Sequence, residues 1–416
     1  SGASIKAGTI VSGVDFARTA AANGNIVQTT SGDVSLTSSG KIDAGTLLSA
    51  GDLSAAGSTI SADSVTAHGD VTVDGATTVA GQILGAGNVL ITGQSLSAQT
   101  VVAGIDFDAT NAASGNIVLG QAGDLTIAVN GALAAPTLQA AGAIDAHAAS
   151  ISANAVTGHK GITLSGATGG VDIDNQVLGG GDISIAGSSI KAGTIVSGVD
   201  FARTAAANGT IVQASSGDLT LASSGSIDAG TLLSAGDLSA AGSAISADSV
   251  TAHGDVTVDG ATTVAGQILG AGNVLITGQS LSAQTVVAGI DFAATNAASG
   301  NIVLGQAGDL SVSVNGAVTA PTIQAAGVID ISGASVAADA ITGHKGITLS
   351  GATGGVDIDS QVLGGGDISV AGSSIKAGTI VSGVDFAATA AADGNIVLAS
   401  SGDLNLASTG NINTAT

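Results

Sequence analysis

Apolar side chains recur along this chain in short pairs, never in long runs, and the pairs return every 18 or 19 residues. The stretch from Gly69 to Gly104 shows the pattern most plainly. Written as two 18-residue halves, it places Val71 over Val89, Val73 over Ile91, Gly75 over Gly93, Ala80 over Ala98, Ile83 over Val101 and Leu84 over Val102. The frame runs backwards through Asp52, Leu53, Ala55, Gly57, Ala62 and Val65. Columns of like residues at a fixed period are the signature of stacked units that bury their apolar side chains on one another. Each period holds short apolar pairs separated by Gly, Ala, Ser or Asp, which suits strands of three to five residues joined by tight bends; helices would need longer runs of period 3.6.

Three periods are nested. Lys6, Lys191 and Lys376 lie in near-identical contexts, so a long repeat of 185 residues (1–185, then 186–370) is followed by a partial third copy, 371–416. Half-repeats are marked by Phe16, Phe107, Phe201, Phe292 and Phe386, spaced alternately by 91 and 94 residues. The three extra residues fall in Gly169–Gln176, where a bulge or surface loop is expected. The shortest period is marked by Asp33, Asp52, Asp70, Asn88, Asp106 and Asp124. We therefore expect 1–416 to form one continuous all-β solenoid: a right-handed parallel β-helix of 18–19 residues per turn with negligible helix. Roughly 22 turns at ~4.8 Å each would span ~105 Å. The segment after each Phe, such as Asp15–Val27, breaks the frame, and we expect a protruding corner there with the Phe plugging a widened core beneath it. Pro136 and Pro321 should open a strand or sit where no amide is needed.

Composition sharpens this picture. Sixty-five Gly, five Phe and no Cys, Met, Trp or Tyr leave Val, Ile, Leu and Ala to build thin layers between strands. The 44% apolar content with 9% charge describes a chain that folds, and no run of eighteen apolar residues suggests a membrane span. A disulfide framework is excluded. The net charge of −23, with every acid an Asp, repels phosphate backbones and anionic lipid, and no basic stripe or stacking aromatics are present; neither nucleic-acid binding nor membrane insertion is expected.

Candidate chemistry is sparse. The Asp column invites a calcium reading, but the GGxGxD nonapeptide is absent and Leu178–Gly187 carries its Asp in another register, so these side chains are expected to accept corner amides. His68, His159, His253 and His344 hold equivalent positions 91 to 94 residues apart, too distant to share a metal, and His147 is replaced by Ser332 in the second repeat; a solvated corner role is expected for them. Arg18 and Arg203 are repeat-related to Ala388, a poor basis for the asymmetric constellation that catalysis requires. No catalytic, metal or cofactor residue is assigned, and the chain is not expected to be an enzyme.

The blocks AGTIVSGVDFA, SGDLTLASSGSIDAGTLLSAGDL and GNVLITGQSL, with the recurring GDL, GDV and GNV turns, resemble the filamentous-haemagglutinin repeats of large Gram-negative exoproteins. That resemblance implies a rigid extracellular stalk that projects a distal functional tip from the cell surface of an adhesin. Alternatives within it are the stick of a contact-dependent growth-inhibition toxin and a multivalent polysaccharide- or self-binding region of a biofilm-matrix adhesin. It also implies an outer-membrane two-partner-secretion transporter as the partner in export. An exopolysaccharide, or a receptor on a host or neighbouring cell, would be bound through regions beyond this stretch.

Overall fold

The computed structural model of the chain describes residues 2–21, 26–112, 116–207, 210–297, 301–391, 395–399 and 401–414. Two compact units are distinguished, Ser1–Gly217 and Asp218–Thr416, and each is a solenoid of parallel coils. In the first unit, three aliphatic ladders line the inside, one from each strand of the coil. Val34, Leu53, Val71, Val89, Leu125, Ile144, Ile162 and Ile183 form one without interruption. Ile42, Ile60, Thr77, Leu96, Leu133, Ile151, Val171 and Ile190 form the second. Leu47, Val65, Ile83, Val101, Leu138, Val156, Val177 and Ile195 form the third. All are buried. The second unit repeats the pattern, for example in Leu238, Val256, Val274, Leu310, Ile329, Ile347 and Ile368.

β-Branched and leucine side chains suit these ladders because a parallel pair places like residues one strand spacing apart, where branched chains nest on the pleat. The one polar rung is paid for locally: the buried hydroxyl of Thr77 donates to the Gly75 carbonyl at 3.2 Å, and Thr262 repeats the bond to Gly260. Pro136 lies at a bend where its missing amide costs nothing, and its carbonyl accepts from the amides of Asn154 and Ala155.

Two details depart from the even 18-residue frame. One column is displaced: Thr78 pairs with Ser97 and Ala62 with Val79, so buried Val79, not exposed Ala80, precedes Ala98 in the stack. The cause is a bulge between Asp74 and Ala76 that adds one residue on the Gly93 side and moves the inward face by one position. The three extra residues of Gly169–Gln176 are absorbed in the strand Ile162–Gly179, two at the irregularity opposite Ala148–Ser150 and one opposite Ala153–Ala155. They swell one coil as expected and leave its neighbours in register.

The coils number about 18, close to the expected 22. The difference has one cause: every fifth period leaves the coil. Val89 pairs directly with Leu125, and the amide of Asp124 donates to Asn88 Oδ1 across 36 residues, so the described residues between Gly104 and Gly123 add no turn to the solenoid. Asn273 and Asp309 repeat the arrangement, as do Asp367 and Asp403.

Candidate functional site

Each excursion is built alike. An Asp (Asp15, Asp106, Asp200, Asp291 or Asp385) accepts at Oδ1 the amide three residues on and so caps the short helix that begins at Phe. Asp106 therefore belongs to a helix cap and not to the corner column in which its spacing placed it. The helices, Phe16–Ala21, Phe107–Ala112, Phe201–Ala206, Phe292–Ala297 and Phe386–Ala391, carry a Thr at the fourth position whose Oγ1 accepts the amide of a Val on the returning arm, as Thr110 does from Val118 at 3.0 Å. An antiparallel bridge closes the base, Ile105 with Leu119 and Ile290 with Leu304. Below the bridge two glycines meet, Gly104 (φ +74°) and Gly123 (φ +139°); a Cβ on Gly123 would lie within van der Waals overlap of the Gly104 backbone. Left-handed φ and this close approach both demand glycine there. Residues 22–25, 113–115, 208–209, 298–300 and 392–394, which include Asn23 and Gly24 of the VDFARTAAANG corner, lie outside the described residues.

The phenylalanines do not plug the coil. Phe107 packs with Ile117 and Leu119 over Leu84, Val102 and Ile105, a small second core on the outer surface of the strands; Phe292 does the same over Leu269, Val287 and Ile290. Phe16 is 79% exposed. The coil's interior is already filled by its ladders, so the excursion covers the outside, where Leu84 and Val102 stand in place of polar residues such as Thr66 and Gln139. Four of the five rings face a histidine: His68 stacks on Phe107, His159 on Phe201 and His253 on Phe292, and His344 meets Phe386 at a tilt of 30°, with centroids 4.3–4.6 Å apart. The four histidines are therefore packing partners, not simply solvated corners, and loss of hydration holds His159, His253 and His344 below the usual imidazole value. A constant His-to-Phe interval, 39 residues in one half-repeat and 42 in the other, was the sequence signal for this pairing.

The corner Asp column accepts amides as its position after Gly suggests. Oδ1 of Asp33, Asp52, Asp70, Asn88 and Asp124 each takes an amide of the next coil at 2.7–3.0 Å. Lysines 191 and 376 each lie between two aspartates of the neighbouring coil, Asp172 with Asp174 and Asp357 with Asp359, which raise the lysine pKa. Nζ of Lys41 pairs with Asp43, and His147 Nε2 approaches Asp145 at 2.8 Å. No group of three metal-ligating side chains occurs among the described residues.

One open groove of about 660 Å³ lies in the second unit between the returning arm Ile302–Gln306 and the helix that starts at Phe386. Its floor holds Gln324, Thr342, His344 and Lys345. No family model, no curated protein and no solved structure matches this chain.

Proposed function

We propose that this chain is a spacer, a stalk segment of a large exported bacterial surface protein of the filamentous-haemagglutinin type that holds a functional tip away from the cell. The observation that carries the reading is the set of three continuous internal ladders, aliphatic at every rung but the hydrogen-bonded Thr77 in the first unit, to which each coil contributes one rung apiece. In such an array every coil is stabilised by its two neighbours, and stability accumulates along one axis. A spacer needs that property and little else. The composition suits it: no disulfide has to form, and folding can proceed coil by coil as the chain emerges from an outer-membrane transporter. The polar chemistry of the coils is directed to neighbouring coils, through the Asp–amide column and the Lys–Asp brackets, and not toward a common reacting centre.

The test is removal of one long repeat, residues 186–370, from the protein in its native cell. Surface display and the activity of the distal tip should persist at reduced reach. Retained display with complete loss of an activity that the excised segment restores when supplied as a separate polypeptide would sink the spacer reading.

A further inference from the structure

Four of the short helices meet a histidine of the coil, and two of these contacts differ from the others. His159 and His344, one in each long repeat, are half-buried, whereas His68 and His253 are exposed. Lys160 and Lys345 follow the first pair where Gly69 and Gly254 follow the second, and Lys345 lines the same groove as His344 and Phe386. The acids around these two rings are engaged elsewhere. Oδ1 of Asp200 and of Asp385 caps its own helix, Oδ1 of Asp367 holds the amide of Asp403, and Asp182 has a partner of its own. Arg203 is the charged side chain of the helix Phe201–Ala206, and Phe386–Ala391 carries none. Asp291 likewise caps the uncharged helix opposite His253, while Asp106 and Asp108 line a pocket together with His68 and Phe107. Each helix hangs from a narrow base. An antiparallel bridge joins Val199 to Gln213 and Val384 to Leu398; Gly198 (φ +68°) meets Gly217 (φ +142°) there, as Gly383 (φ +68°) meets Gly402 (φ +155°). The coil's own pairing bypasses the helix, since Ile368 pairs directly with Leu404.

We propose that the helices Phe201–Ala206 and Phe386–Ala391 are acid-released flaps: protonation of His159 and His344 lifts each helix from its corner on the glycine base while the coil stays paired. An imidazolium held half-buried against a ring lacks hydration that it regains when the helix lifts, and the adjacent lysine charge repels it in the closed position. Attraction between the cation and the ring face opposes release, but it is weaker for phenyl than for indole and common to all four contacts. Loss of hydration holds both histidines below the usual imidazole value. The released form therefore binds the proton more tightly than the closed one. Closed flaps keep their full stability above the ordinary pKa of ~6.5, and release grows as pH falls from there toward the lower closed values. His253 shares the direction of shift but is followed by Gly254, so its helix responds less. Release bares the outer face of the coil at buried Val196, the counterpart of Val102.

The test is hydrogen exchange of the whole chain, read by mass spectrometry at about pH 7.5 and about pH 5, on either side of the imidazole pKa, with intrinsic rates divided out. The closed helices hold the amides of Asp200 and Asp385 on the carbonyls of Val212 and Val397, and the amides of Val212 and Val397 on Thr204 and Thr389. Protection of these four should fall about threefold or more at the lower pH, given that one unit of pKa difference is worth tenfold. The matching amides of Asp106 and Val118 should change less, and the coil amides of Val71 and Val256 should hold. His159→Phe/His344→Phe keeps an aromatic contact that takes no proton and should abolish the response; Lys160→Gly/Lys345→Gly should reduce it. Where the phenylalanine pair loses the strand signal in circular dichroism, His159→Gln/His344→Gln gives the same reading. Protection unchanged or raised at about pH 5, equal loss at the coil amides, or a response that survives in either histidine pair would each overturn the proposal. None of these outcomes touches the spacer reading, because the ladders do not depend on the helices.

Discussion

A single side-chain oxygen ties one coil to the next wherever an Asp or Asn occupies this corner. Asp70 Oδ1 receives the amide of Asn88 at 2.7 Å, and Asn88 Oδ1 then receives that of Asp124 at 2.9 Å. The acceptor is a side-chain oxygen whether the residue is Asp or Asn, so Asp70→Asn should leave stability within ~0.5 kcal/mol. Asp70→Ala strands one amide at a partly hydrated corner and should cost about 1 kcal/mol. Urea unfolding midpoints of the two variants check this, and equal loss in both would show that charge, not the hydrogen bond, matters there. The column was legible in the sequence because Gly-Asp recurs at a fixed interval. Asp106 was misplaced because a helix cap uses the same short acceptor at the same 18-residue interval, although Asp106 stands two residues after Gly104 and the corner acceptors directly follow their Gly. Ala80 was misplaced by one residue because a bulge changes the count on one side without changing the residue types on the other.

Each excursion is an element added to the coil and not woven into it. Since Val89 already stacks on Leu125 and Gly104 touches Gly123, removal of residues 105–122 leaves the coil's own pairing intact. Its cost is exposure of the outer faces of Leu84 and Val102, ~3–5 kcal/mol for two large apolar side chains. Restoring the polar types of the adjacent coils, with Leu84→Thr after Thr66 and Val102→Gln after Gln139, should recover most of that loss. Thermal melting with circular dichroism separates the two cases; loss of the strand signal in the repaired variant would show that the excursion helps to close the coil. The stacked histidines add a pH term. In the folded chain His159, His253 and His344 titrate below their ordinary value through desolvation, so as pH falls the unfolded chain takes up protons first. Stability is fully present above the ordinary imidazole pKa of ~6.5 and is lost as pH falls from there toward the lower folded values. Melting temperature should therefore decline between about pH 7 and pH 5, above the carboxylate range, and His159→Gln/His253→Gln/His344→Gln should flatten that decline. That the frame breaks after each Phe was visible in sequence. What fills the break was not, because a six-residue helix has too few positions to show a period and its ring partner lies about 40 residues upstream.

The length of each unit follows from how many periods build coil. The parallel solenoid itself was readable because every coil repeats the same inward Val, Ile and Leu, and any error in one column is outvoted by the next. The number of coils was readable only to within the excursions, since those periods carry the same length of chain and the same Gly-Asp punctuation as a true turn. From Val34 to Leu125, 91 residues advance the ladder through Leu53, Val71 and Val89, four steps and not five. Duplicating residues 34–124 within the first unit should therefore extend that unit by about 19 Å, four strand spacings of ~4.8 Å, where five would give about 24 Å. A series with one, two and three added half-repeats, measured by small-angle scattering as the growth of the longest dimension per insertion, distinguishes these slopes better than any single length. Each insertion should also raise the denaturant midpoint less than the one before, because every new coil contributes one more interface of the same kind while the two end coils stay the weakest points. A slope near five spacings would mean that the excursion closes into a coil of its own when the array is extended, and the direct stacking of Val89 on Leu125 would not survive in solution.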